Sequence, residues 1–257
     1  MNRLDHLFQT KTANLLNIYF TAGYPERNDT GRVLRALEGA GVDLVEIGMP
    51  YSDPLADGPT IQESGSQAIA NGMTLPLLFE QIRAFRATSD LPLILMGYFN
   101  QVMQFGDDRF IQTCQEVGID GVILPDLPLR EYEATYRQKF EDAGLHFSFL
   151  ITPQTEPERI RRIDELTRGF IYMVSSSSIT GKSGEISPEQ VAYFERIAAM
   201  HLKNPRLIGF GISDRASYET ACRYANGAII GSAFIRALRD GKDGVEAATA
   251  AFVERIR

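Results

Sequence analysis

The chain alternates between short apolar runs and longer stretches in which apolar residues recur at helical spacing. Runs at 15–21, 42–49, 91–98, 121–126, 146–152, 169–175, 206–212 and 227–232 are rich in Val, Ile, Leu, Phe or Tyr. Apart from 91–98, each closes on Gly, Pro, Asp, Ser or Thr, or just before such a residue. Continuous apolar runs of this length read as strands buried on both faces. Between them, 28–40 carries Val33, Leu34, Leu37 and Ala40 on one helical face and ends at Gly39-Ala40-Gly41. The stretch 75–87 does the same with Leu78, Phe79, Ile82 and Phe85. The pattern predicts further helices at 107–117, 130–143, 156–166, 187–201, 214–224 and 245–256, several of them opened by proline or closed by glycine. A short amphipathic segment, 2–11, precedes the first strand.

Eight strand–helix units in 257 residues predict an α/β chain folded as one (β/α)8 TIM barrel, a single domain over 1–257. An N-terminal extra helix and a short extra helix at 232–239, after strand eight, complete the expected fold. A doubly wound open sheet is the competing architecture. The strand count favours the barrel, and so does the first turn, Thr21-Ala22-Gly23-Tyr24-Pro25, which is no G-x-G-x-x-G. No Pro/Gly/Ser-rich linker marks a domain boundary.

A barrel of this kind places its chemistry at the C-terminal strand ends. Glu46 lies inside the run 42–49, on the same side as Val42 and Leu44 by period-two alternation. A buried carboxylate is costly unless paired, neutralised or used, and the strands offer no inward Lys or Arg to pair it. Pro50, Pro54 and Pro59 then break regular structure on a loop that carries Asp53 and Asp57. Folding Asp57 back over the strand end would set two carboxyl groups in unlike surroundings, which is how acid and base roles are separated. The plain alternatives stay open: Asp-Gly-Pro is an ordinary turn, Asp126 suits a helix cap, and Tyr172 suits core packing.

Two further stretches carry polar and glycine signals. Gly209-Phe210-Gly211 ends strand seven and Gly231-Ser232 ends strand eight, the usual place for a phosphate held by backbone N–H groups and a short helix. Tight turns would use the same glycines. The segment 175–184, SSSSITGKSG, follows strand six without apolar anchors and reads either as a lid over substrate or as a plain surface loop.

Charge narrows the partners. With a net charge of -7 and a pI near 5.1, and no basic run, the chain is not built for nucleic acid or anionic membrane. Cys114 and Cys222 both fall in helical patterns and give no disulfide framework or metal spacing. No run is long enough to span a bilayer, and the polar start lacks the core of a signal peptide, so a cytoplasmic location is expected.

The string Glu46 to Gln62, EIGMPYSDPLADGPTIQ, resembles the signature of the tryptophan synthase alpha chain family. FTAGYP at 20–25, MGY at 96–98 with Asn100, PDLP at 125–128, SITG at 178–181, GFGIS at 209–213 and GSA at 231–233 carry the likeness from end to end. It implies a lyase that cleaves indole-3-glycerol phosphate to indole and glyceraldehyde 3-phosphate. It implies no metal and no cofactor of the chain's own, and a pyridoxal-phosphate beta subunit as partner in an alpha–beta–beta–alpha heterotetramer. By position, Glu46 matches the acid–base glutamate and Asp57 the catalytic aspartate. Tyr172 matches a tyrosine near the glycerol chain, and Gly181, Gly211, Gly231 and Ser232 match the phosphate-binding backbone. Phe20, Ile61, Met96, Ile123 and Phe210 are the expected walls for the indole ring. Pro50 and Asp53 lie on the loop that meets the beta subunit. One departure is that the loop at 180–184 has Lys182 but no arginine, which some relatives carry there. Two other readings remain at this point: a different phosphate-binding barrel enzyme, and a non-catalytic activator of a beta chain.

Overall fold

A computed structural model describes residues 1–54, 57–175, 187–209 and 211–257. The apolar runs form β1 (Leu15–Thr21), β2 (Leu44–Gly48), β3 (Leu93–Met96), β4 (Gly121–Ile123), β5 (His146–Phe147), β6 (Leu150–Ile151), β7 (Ile171–Val174), β8 (Arg206–Gly209) and β9 (Gly227–Ile230). All pairings are parallel, in the order β5-β4-β3-β2-β1-β9-β8-β7-β6. The sheet's two ends, β5 and β6, are pieces of the single fifth run predicted at 146–152. Ser148 N–H donates to Val122 O and Phe149 O accepts from Tyr172 N–H. The broken strand therefore hands over from one neighbour to the other and closes the barrel. The predicted eight-unit TIM barrel is what the chain forms, with one strand divided.

Side chains alternate between two apolar layers. Leu15, Leu44, Ile94, Ile123, Tyr172, Leu207 and Ile229 fill the barrel interior. Leu16, Ile18, Phe20, Val45 and Ile47 belong to the outer layer under the helices. The expected N-terminal helix is Arg3–Thr10. Its Leu4, Leu7 and Phe8 pack against the interior layer and cover the barrel floor. Asn2 caps it, accepting from Leu4 N–H, and its amide donates to the carbonyls of Asp120 and Gly144. The buried Asp120 carboxylate binds Arg3, Arg86 and the Leu93 N–H, tying that helix to β3 and β4.

Two helices lie where none was predicted. Pro59–Ala70 begins at the third proline, which opens a helix at its first turn instead of breaking structure. Phe99–Phe105 has only seven residues, too few for a period to show. The short helix after the last strand is Ser232–Asp240. No helix among the described residues is long and apolar enough to cross a membrane.

Candidate active site

β2 places Glu46 on the inward face, Cα-paired with Tyr19 of β1 on one side and Ile94 of β3 on the other. It is fully buried. Among the described residues, no cation pairs with it. Its partner is an amide: Asn17 Nδ2 donates to Glu46 Oε1 at 2.6 Å. Burial pushes the carboxyl up to about 8, and the Asn17 bond opposes that only in part. Among the described residues, Oε2 has no hydrogen-bond partner.

Asp57 sits just before the helix Pro59–Ala70, which begins after Gly58. Gln62 fastens the turn by donating from its side chain to the carbonyls of Pro54 and Asp57. Tyr98, at the end of β3, donates its hydroxyl to Asp57 Oδ2 at 3.0 Å. Tyr98 in turn stacks on Tyr51, ring centroids 4.9 Å apart. Burial raises the Asp57 carboxyl and the Tyr98 bond counters it. The two carboxyl groups thus differ: Glu46 is enclosed, and Asp57 is half-buried and held by a phenol.

Two inward tyrosines stand beside them. Tyr19 and Tyr172 are both buried, and both carboxylates lie near enough to hold their hydroxyls further towards the protonated form. Each ring depends on a glycine. A Cβ at Gly48 would strike the Tyr19 hydroxyl, and one at Gly209 would strike that of Tyr172. Met96 and Ile123 are on the inward face. Ile61 lines a small cleft with Tyr19, Thr21, Met49, Pro50, Pro54 and Asp57.

Phe20 needs correction. It points into the outer layer and is fully buried there, away from Glu46. Tyr19 is the β1 aromatic that faces the pocket. A slip of one residue exchanges strand faces, and a strand buried along its whole length gives no alternation to read. Asn17 and Thr21, polar and two positions either side of Tyr19, were the available signal. Phe20→Ala is accordingly expected to cost the fold about 3–5 kcal/mol in urea unfolding, with KM unchanged in the folded protein. Asp126 is a cap, but of the helix Phe99–Phe105 from the preceding unit, through the Phe99 N–H.

Just beyond β9, beside Tyr19, Gly231 is the cap residue of the helix Ser232–Asp240, with Ser232 at its first position. The first amides of a helix have no partner within it, so this end presents N–H groups and a partial positive charge. Gly211 adopts φ +78°, which favours glycine. Asp53 is exposed, and Pro50, at the cleft edge, accepts from the Gln101 side chain. Gly181, Phe210 and most of the lid segment, Lys182 included, lie outside the described residues. No cluster of His, Cys, Asp or Glu among the described residues is arranged to hold a metal ion.

The family model for the tryptophan synthase alpha chain matches residues 5–257. The chain belongs to the tryptophan synthase alpha chain family. An alpha chain from Flavobacterium psychrophilum is 54% identical over 240 residues, 93% of this chain and 94% of that one. The crystal structure of the tryptophan synthase alpha chain from Legionella pneumophila superposes with a TM-score of 0.89 at 31% identity, covering 100% of this chain and 96% of that one. A tryptophan synthase complex from Pyrococcus furiosus gives 0.87 at 31% identity, over 96% and 98% of the two chains. Tryptophan synthase alpha chains are carbon–carbon lyases of tryptophan biosynthesis.

Proposed function

We propose that this chain performs the alpha half-reaction, the retro-aldol cleavage of indole-3-glycerol phosphate, with Glu46 as acid and base and Asp57 as the electrostatic partner. The observation that supports it most directly is the pair of carboxyls in unlike surroundings at one barrel mouth. Cleavage is easy only once indole C3 carries a proton and the ring is an indolenine. Glu46, held neutral by burial near pH 7, delivers its proton to C3. Asp57 accepts the indole N–H and stabilises the positive charge that appears on N1. The Glu46 carboxylate then takes the hydroxyl proton beside C3. The C–C bond breaks, its electron pair returns to the ring, and the aldehyde leaves. Glu46 ends the cycle protonated as it began, so no outside proton carrier and no cofactor is needed.

The phosphate would rest on the amides of Gly211, Gly231 and Ser232, with Gly181 closing from the lid. Tyr172 would face the glycerol chain, and Tyr19, Ile61, Met96 and Ile123 the indole. Pro50 and the exposed Asp53 would meet a beta subunit, which holds the pyridoxal phosphate and receives the indole in an alpha–beta–beta–alpha assembly in the cytoplasm. Ser232→Asp sets a carboxylate against the phosphate and is expected to raise KM at least about tenfold, with kcat changed less. The deciding experiment is indole release from indole-3-glycerol phosphate by the chain alone and with a beta subunit added. Slow release that rises on adding the partner is the expected result. No release in either case would overturn the lyase assignment.

A further inference from the structure

The interior holds a buried amide that the reaction above does not use. Asn17 is fully buried on β1, at a level flanked by the apolar Leu44 and Ile229 of the neighbouring strands. Burying an amide among apolar side chains is unfavourable unless its bonds are made, and only one is. Tyr19, and not Asn17, stands opposite Glu46 in the ladder. The 2.6 Å bond from Asn17 to Glu46 Oε1 therefore runs diagonally, from one inward position nearer the floor. Two buried oxygens of the pair have no partner among the described residues: Asn17 Oδ1 and Glu46 Oε2. One carboxyl oxygen is thus tied, and the other is unpaired among the described residues.

Among the described residues, Asn17 makes the one hydrogen bond to the Glu46 carboxyl. Among the described residues, the titratable groups near Glu46 are Tyr19 on β1 and Tyr172 on β7, which both also lie near Asp57 after β2. β3, β4 and β9 contribute Ile94, Ile123 and Ile229. Tyr19 and Tyr172 set their hydroxyls against Gly48 and Gly209, and Asp57 accepts from Tyr98. Asn17 is the neutral donor bonded to Glu46, and an N–H donated to a carboxyl favours its ionised form.

We propose that Asn17 is the positioning residue of Glu46. Its amide fixes the carboxyl through Oε1, reserves Oε2 for the substrate and sets the pH range over which Glu46 gives up its proton. The proposal rests on the reading of Glu46 as the acid–base group. Its test uses the full chain labelled with 13C at the glutamate side-chain carboxyls, the Glu46 resonance being assigned by its loss in Glu46→Gln. In Asn17→Ala the Glu46 titration midpoint is expected to rise by about one pH unit, the shift of one lost charge-assisted bond. In Asn17→Thr, which keeps a hydroxyl donor, it is expected to fall between the two. In the same variants kcat for indole release drops about tenfold with KM unchanged, and the alkaline limb of the pH profile follows the carbon-13 midpoint. If Asn17→Ala does not fold, Asn17→Thr carries the test. An unmoved midpoint in a folded variant overturns the proposal. A Glu46→Gln variant that keeps its turnover overturns instead the acid–base reading beneath it.

Discussion

Glu46→Gln is expected to lower indole release by ~10²–10⁴-fold while KM for indole-3-glycerol phosphate stays close to that of the parent. The substitution keeps the shape of a side chain that is fully enclosed. Its amide oxygen still accepts from Asn17 Nδ2, so the pocket geometry is retained. What goes is the ionisable carboxyl, which the proposed cleavage needs twice, to give a proton to C3 and then to take one from the hydroxyl. Steady-state kinetics on the parent and variant, with the beta subunit present, read the effect. A variant with a near-normal rate would end the acid–base role, because no second enclosed carboxyl stands ready to replace it among the described residues.

The same substitution is expected to strengthen the fold as pH rises. In the unfolded chain this carboxyl loses its proton near 4.5, whereas in the barrel it keeps it up to about 8. Between those values the folded state binds the extra proton, so raising pH favours unfolding. The stability that the neutral acid contributes is complete below pH 4.5 and lost by about pH 8. Gln cannot ionise and escapes this loss. The stability gap between variant and parent should open across that window and level off above it, at up to about 5 kcal/mol. Urea unfolding at closely spaced pH values measures it. A gap that does not grow with pH would mean that the carboxylate is accommodated without strain. The enzyme would then owe its proton chemistry to something other than burial.

What could be read in advance follows from how each signal is written. Eight apolar runs with helical stretches between them suffice for a barrel, because parallel strands are buried on both faces. Glu46 was visible as a charge inside such a run. Asn17 was equally visible in the first run, and only the diagonal hydrogen bond from β1 to β2 shows that its amide meets the glutamate. The face of the β1 aromatics was not legible, since every residue from Leu15 to Thr21 is buried. The helix at Pro59 was hidden by a residue whose effect depends on position: it blocks a helix interior but suits a first turn. The break in the fifth strand is a matter of which neighbour each half bonds, and local composition does not encode that.

The helix that covers the barrel floor is made long before it has anything to cover. Arg3–Thr10 leaves the ribosome early, yet the apolar cluster it packs into extends to Ile229. At ~5–20 residues per second, its apolar side waits on the order of ten seconds or more for the last of them. Throughout that interval Leu4, Leu7 and Phe8 are an unburied stripe on a nascent chain, open to trigger-type chaperones and to neighbouring chains alike. A fragment stopped before β9 cannot seat the helix fully. Premature termination should therefore yield a sticky product that is cleared or aggregates, rather than a smaller working barrel.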